Sequence, residues 1–261
     1  MSIKIENVVL ASPEQMSFII QGMRNPYNSH DKSDSGLTCS QNKNNICDIH
    51  CIVDNYCKPL DKYLVGPNDH SLMQRLANAG TDHRKFMRMM PVYVRITAPL
   101  YWWKEFDTYR VGVTPNPMDI EMNSCSTMHK IQEKEFTLED FSYEHLADWD
   151  EYDHAKYVVD ETIGALNYWR EKWLELDRKI KGKEFSGDES IFSLKKKQKD
   201  IWWQMIQLLP SSYNQTRNVM MNYEVLCNIY KSRRNHKLNE WVELCAWVKT
   251  LPYQELITGG N

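Results

Sequence analysis

The stretch Pro91–Trp103, PVYVRITAPLYWW, decides how the rest of the chain is read. Val92, Val94 and Ile96 alternate with Tyr93, Arg95 and Thr97, the two-residue period of a strand with one buried face. Helical character resumes through WKEFDTYR at 103–110. Toward the N-terminus, KIENVVL at 4–10 reads as a first strand. Ser12-Pro13-Glu14 then supplies an N-cap, a proline for the first helical position and an early acid, opening a helix toward Met23. Residues 24–67 are rich in Asn, Ser, Asp and Cys with little periodicity, which predicts a long loop. Asp69–Ala79 reads as an amphipathic helix closed by Gly80.

Toward the C-terminus, residues 111–130 read as a loop containing proline and asparagine. From Val159, the apolar positions Ile163, Leu166, Trp169, Trp173, Leu176 and Ile180 step by three or four, so this helix turns one face to a core. KGKEFSGDES at 181–190 interrupts it, and KKKQKDIWWQMIQLLP starts another helix that Pro210 ends. A last helical block is expected from about Thr216 to Lys249. No internal repeat or linker divides the 261 residues. The expectation is therefore a single α+β domain over 1–261, with a small mixed or antiparallel sheet and a helical C-terminal half.

Composition excludes several functions. The chain has only 10 glycines beside 9 Trp, 14 Tyr and 13 Met, and no GxGxxG, GxxxxGK[ST] or GxSxG motif. This argues against a Rossmann dinucleotide site, a P-loop and an α/β-hydrolase elbow. Any phosphate-bearing ligand must be held by side chains or helix ends. The balance of 32 Lys+Arg against 35 Asp+Glu gives no basic footprint for duplex nucleic acid, and LKKKQK at 194–199 reads as a solvated helix face. The N-terminus lacks a signal-peptide core and no apolar run is long enough to span a bilayer. Seven cysteines, an odd number, suit a reducing cytoplasm. Cys39, Cys47, Cys51 and Cys57 cluster around His50 with C-x7-C-x3-C-x5-C spacing. A small zinc module and reduced thiols in a long loop both fit this set, and without a CxxC knuckle no metal is assigned.

Three polar clusters stand out as candidate chemistry. His83, in GTDHRKFMRMM, sits where a turn feeds the next element and can present its ring to a ligand. Asn123-Ser124-Cys125-Ser126-Thr127 groups short hydroxyl side chains with backbone N–H donors; this suits a phosphate or ribose cradle and equally a plain turn. NYEVLCNIYKSRRNH at 222–236 carries Asn222, Asn228, Arg233, Arg234 and His236. If the whole stretch is helical, Asn222 and Arg233 lie three turns apart on one face, about 16 Å. Amides suit the edge of a heteroaromatic ring and arginine suits a phosphate, carboxylate or carbonyl, although a polar subunit interface fits the same face.

These residues resemble the flavin-dependent thymidylate synthases in three blocks that span about half the chain in the right order. In DHRKFMRMMPVYVRITAPLYWWKEFDTYRV, His83 matches the family histidine near the flavin, Ala98-Pro99 its corner, and Arg110 the last arginine of its Arg-His-Arg. In NSCSTMH, Asn123 and Ser126 match the substrate loop. In LPSSYNQTRNVMMNYEVLCNIYKSRRNH, Leu209, Pro210, Asn222, Asn228 and Arg233 fall at matching spacings. The resemblance implies FAD as cofactor, with NADPH and methylenetetrahydrofolate as co-substrates, and methylation of a pyrimidine deoxynucleotide such as dUMP. It further implies catalytic roles for His83 and Arg233, flavin contacts from His83, Arg110, Asn222 and Asn228, and substrate contacts from Asn123, Ser126 and Arg233. It implies a homotetramer with sites assembled from several subunits and no covalent nucleophile from the protein.

The chain departs from the family pattern at named positions. Thr108-Tyr109-Arg110 stands for the arginine-histidine-arginine triplet. Met128, Ile206 and Glu224 occupy positions where the family has arginine, and PNPMDIE is inserted between Arg110 and Asn123. Each lost guanidinium removes a bidentate anion contact. Two readings follow: a flavin-dependent C5-modifying enzyme, or a divergent non-catalytic homologue that binds a nucleotide in a structural or regulatory role.

Overall fold

The computed structural model describes residues 3–39, 61–109, 121–146, 154–183 and 190–259. Arg110, Cys47, His50, Cys51 and Cys57 lie outside the described residues. A four-stranded sheet has the order β1-β4-β6-β5, formed by β1 (Lys4–Leu10), β4 (Pro91–Pro99), β5 (Glu121–Ser124) and β6 (Asn214–Asn222). A second sheet pairs β2 (Gly36–Thr38) antiparallel with β3 (Lys62–Leu64). The architecture is the expected mixture of helices with a small sheet.

The described residues fall into two compact units. One contains Ile96–Phe106 and Asn123–Arg217. Here α3 (Leu100–Phe106) begins directly at the end of β4, earlier than its sequence suggests, because Leu100 and Tyr101 donate their N–H groups to the carbonyls of Tyr213 and Ser211. Trp102, Trp103 and Phe106 are fully buried against one another, with ring centroids 4.8–5.3 Å apart. The long helix α4 (His154–Gly182) packs on α5 (Ile191–Leu208), which Ser190 caps. The apolar stripe does what its period predicts. Leu166 and Met205 are buried with Ile131, Phe136 and Phe141, while Trp169, Trp173 and Trp202 pack around them. Asn167 clamps the chain before α4, accepting from the Phe136 N–H at 2.9 Å and donating to the Phe136 carbonyl at 2.8 Å.

The other unit contains Ile5–Arg95, Asp107–Met122 and Asn218–Asn261. Its core gathers one face of α1 (Pro13–Arg24), α2 (Pro67–Asn78), α6 (Tyr223–Arg233), α7 (Asn239–Val248) and α8 (Glu255–Thr258). The α1 start is a full capping box: Ser12 accepts from the Gln15 N–H and Gln15 returns the bond. The Arg24–Asp69 ion pair is buried, with Nε 2.5 Å from Oδ1. Ser33 and Ser35 donate to the other Asp69 oxygen at 2.7 and 2.6 Å. Asp34 caps α2 from outside the helix, accepting from the Asn68 and Asp69 N–H groups. Gly66 permits this approach, because a Cβ there would lie 2.3 Å from Asp34. Gly80 has φ +103°, the left-handed conformation expected just beyond α2.

Three stretches differ from their sequence reading. The described parts of 24–67 contain 3-10 turns and the β2–β3 pair, held in place by side-chain bonds to Asp69 that carry no periodic signal. Part of the expected 111–130 loop is β5. The largest correction concerns Thr216 onward, where the chain is a strand to Asn222 and turns helical only at Tyr223. Thr97 Oγ1 lies 2.7 Å from Thr216 Oγ1, and the Tyr223 N–H donates to the Met90 carbonyl, so β4 and β6 run antiparallel. Polar Gln215 shares the strand face of buried Val219 and Met221, which masked the period of two.

Candidate functional site

The strand-to-helix junction at Asn222 organises the second unit's polar groups. Asn222 has extended backbone angles and its side chain accepts from the Val225 N–H at 3.0 Å, so it is the N-cap of α6. It is 2% exposed. It therefore does not project from the same helical face as Arg233, as a continuous helix would require. From this cap, α6 buries Val225, Leu226, Ile229 and Tyr230 and leaves Asn228 exposed.

His83 lies in the turn after α2, where its N–H donates to the Gly80 carbonyl at 3.1 Å, and its side chain is exposed. It lines a cleft of about 460 Å³ together with Tyr27, Ser29, Lys32 and Arg75. Arg24 also lines this cleft, its charge met by Asp69. Lys32 and Arg75 give the cleft a positive character that suits an anionic ligand, and Tyr27 gives it an aromatic surface.

The next residue, Arg84, joins His83's turn to α6. Arg84 is 5% exposed and all three of its nitrogens are used. Nε donates to Glu224 Oε1 at 3.1 Å, Nη1 to Cys227 Sγ at 3.2 Å and Nη2 to Asn228 Oδ1 at 3.2 Å. Arg88 donates to the second carboxylate oxygen of Glu224 and to the Thr81 carbonyl. Two guanidinium groups against one buried carboxylate satisfy the pairing that a buried charge requires. Glu224, at a position where the resemblance expects arginine, thus carries a reversed charge that Arg84 and Arg88 answer.

At the other end of α6, Arg233 sits among aromatic rings. Its guanidinium lies 4.8 Å from the Trp241 ring centre and 5.7 Å from that of Tyr109. Nε donates to the Tyr109 hydroxyl at 2.9 Å, and Nη1 lies 2.8 Å from His236 Nε2. Such stacking holds a planar cation in one orientation. At the start of the helix, burial raises the Tyr223 phenol far above its ordinary value, with Tyr253 and Glu255 adding to the effect. It accordingly remains a donor, to the Pro252 carbonyl at 2.6 Å.

Asn123 and Ser126 belong to the first unit and are both exposed. Ser126 Oγ accepts from the N–H groups of Met128 and His129 at 3.3 and 3.0 Å, the turn its composition allowed. The segment is fixed to β6 by the Cys125 N–H on the Thr216 carbonyl and by Gln215 Nε2 on the Cys125 carbonyl at 2.7 Å. Of the cysteine cluster, Cys39 is described and is buried. Among the described residues, no group of three His, Cys, Asp or Glu side chains is arranged to hold a metal.

The structure therefore links His83's neighbour directly to Asn228 and places Asn228 and Arg233 on one helix, with Asn222 as its buried N-cap. Arg84, Arg88 and Trp241, not singled out in the sequence, complete this arrangement together with Tyr109, which the sequence marked only as a departure from the family triplet. The sequence did contain one signal: a glutamate at an expected arginine requires a cation from elsewhere.

The fold is similar to that of solved flavin-dependent thymidylate synthases. A solved structure of the enzyme ThyX from Helicobacter pylori, complexed with FAD and dUMP, superimposes with a TM-score of 0.52 at 16% identity. The match covers 99% of this chain and 97% of that one. A second Helicobacter pylori ThyX structure, also with FAD and dUMP, gives 0.51 at 14% identity over 99% and 96% of the two chains. At these identities the likeness is one of fold. No family model matches the sequence, and no curated protein matches it.

Proposed function

We propose that this chain is a flavin-dependent enzyme that methylates, or otherwise modifies with a one-carbon group, C5 of a pyrimidine deoxynucleotide such as dUMP. The observation that carries the reading is the Arg84 bridge from the turn of His83 to Asn228. It ties the turn that carries His83 to Asn228, two positions that the resemblance assigns to the flavin. FAD suits these donors: the positive cleft with an aromatic wall that His83 lines fits a charged tail, and the exposed Asn228 amide, outside that cleft, fits a ring edge. When bound, the flavin supplies the redox chemistry, with NADPH as reductant and methylenetetrahydrofolate as carbon donor.

The chain's own residues bind and orient. His83 and Asn228 hold the ring edge. Arg233, held in orientation by Trp241 and Tyr109, directs N–H donors at a pyrimidine carbonyl and stabilises charge that develops there. Arg110, Asn123 and Ser126 are assigned to the cofactor and substrate side, and the working form is proposed to be a cytoplasmic homotetramer with one functional domain per chain.

A second reading, a nucleotide-binding homologue without catalysis, is favoured by two observations. Ser126 uses its oxygen within its own turn, and Met128 stands where a substrate arginine is expected. Genetic rescue of a thymidine-requiring bacterial strain separates the two. The enzyme reading predicts growth without thymidine. Failure to grow, with the protein expressed in folded form, removes thymidylate synthesis and leaves the binding reading.

A further inference from the structure

We propose that Arg84 is a positioning residue that fixes the polarity of Asn228, so that the bound ring meets an amide donor there and must offer an acceptor. This rests on the flavin-site reading above and adds a selection rule to it. A guanidinium has only N–H donors. With Nη2 3.2 Å from the Asn228 side chain, the group that faces Arg84 must be the carbonyl oxygen. The reverse amide would set N–H against N–H.

Arg84 cannot turn to accommodate the reverse amide. It is buried, its Nε is on Glu224 and its Nη1 is on Cys227, while Glu224 is held from its other side by Arg88. The fork therefore acts as a fixed template. The Asn228 amide nitrogen is turned away from Arg84 on a residue that is itself exposed. A ligand at this point is read by N–H donors. The chemical class that satisfies them is a heteroaromatic ring edge with a carbonyl oxygen or an unprotonated ring nitrogen; a ring N–H is refused.

Two substitutions test the rule, with FAD affinity read by fluorescence titration and fold stability by urea denaturation. Asn228→Asp keeps an oxygen on Arg84 but turns the ligand-facing donor into an acceptor. Stability should hold or rise while FAD affinity falls at least tenfold, the scale of one lost hydrogen bond in a binding site. Arg84→Lys keeps the charge beside Glu224 but lacks the fork, so the amide is released and FAD binds severalfold more weakly. In the double variant the Arg84→Lys loss should disappear into that of Asn228→Asp, since there is no amide left to orient.

Wild-type FAD affinity in Asn228→Asp overturns the polarity rule. Fully additive losses in the double variant overturn the positioning role of Arg84. If Arg84→Lys does not fold, the Asn228→Asp titration still decides the polarity. A wild-type chain that binds no FAD overturns the flavin-site reading, and this inference with it.

Discussion

Asp69→Asn should cost about 3–5 kcal/mol, a large part of the ~5–15 kcal/mol that holds a domain of ordinary stability. The substitution keeps the shape and removes the charge. Asp69 is fully buried and accepts from Arg24 Nε at 2.5 Å, Ser35 Oγ at 2.6 Å, Ser33 Oγ at 2.7 Å and the Asp34 N–H at 3.2 Å. An asparagine keeps one acceptor oxygen and turns an N–H2 group toward donors. It also leaves Arg24, 5% exposed, without its counter-charge. Breaking a buried pair by removing one partner is expensive because the remaining charge stays desolvated. The assay is urea denaturation of wild type, Asp69→Asn, Arg24→Met and the double variant. The double variant should lose clearly less than the sum of the singles. A loss below about 1 kcal/mol in Asp69→Asn, the value of an exposed pair, would show that the buried Arg24 does not depend on this carboxylate.

The same carboxylate gives a pH signature. Burial pushes its pKa up, but hydrogen bonds from Ser35 and Ser33 and the Arg24 guanidinium outweigh this and hold it below the ordinary 3.8. The unfolded chain therefore takes up the proton first as pH falls. Asp69's contribution is fully present above the unfolded value and is lost as pH drops through the lowered folded value. The wild-type stability curve should bend downward below about pH 4, and Asp69→Asn should flatten that bend.

Other outcomes follow from the same contacts. Glu224→Gln should cost about 3 kcal/mol in urea denaturation by leaving Arg84 buried beside neutral groups, with Arg88 recovering some hydration at the surface. A loss close to zero would show that Arg84 does not depend on that carboxylate. Arg233→Ala should weaken dUMP binding at least tenfold in calorimetric titration while the far-ultraviolet spectrum is unchanged; equal affinity would count against its substrate role. Iodoacetamide labelling at pH 8 with peptide mapping should modify exposed Cys125 quickly and Cys245 slowly, because burial pushes the Cys245 thiol up to about 11. Equal rates at the two cysteines would contradict their described environments.

Much of the fold is legible from local signals. Ser12-Pro13 opens α1, the apolar stripe from Ile163 to Ile180 faces α5, and Pro91–Pro99 is the alternating strand. What escaped was non-local. The strand at Asn214–Asn222 owes its state to pairing with β4, and Gln215 on its inner face binds the Cys125 carbonyl rather than packing as an apolar residue. The β2–β3 pair depends on side chains converging on Asp69, more than thirty residues beyond Ser33 and Ser35. In the candidate site, the residue types and spacings of Asn222, Asn228 and Arg233 were readable, but not their roles. Asn222 turned out to cap its own helix. Arg84, Tyr109 and Trp241 entered only because the chain brings them to Asn228 and Arg233.

The most direct test of the central claim is to titrate FAD into the purified chain and then add dUMP, following the flavin absorbance and fluorescence. A flavin-dependent enzyme should bind one FAD per chain, with quenched fluorescence, and show a further spectral change when dUMP joins the flavin. A folded chain that takes up no FAD and gives no flavin response to dUMP would contradict that claim.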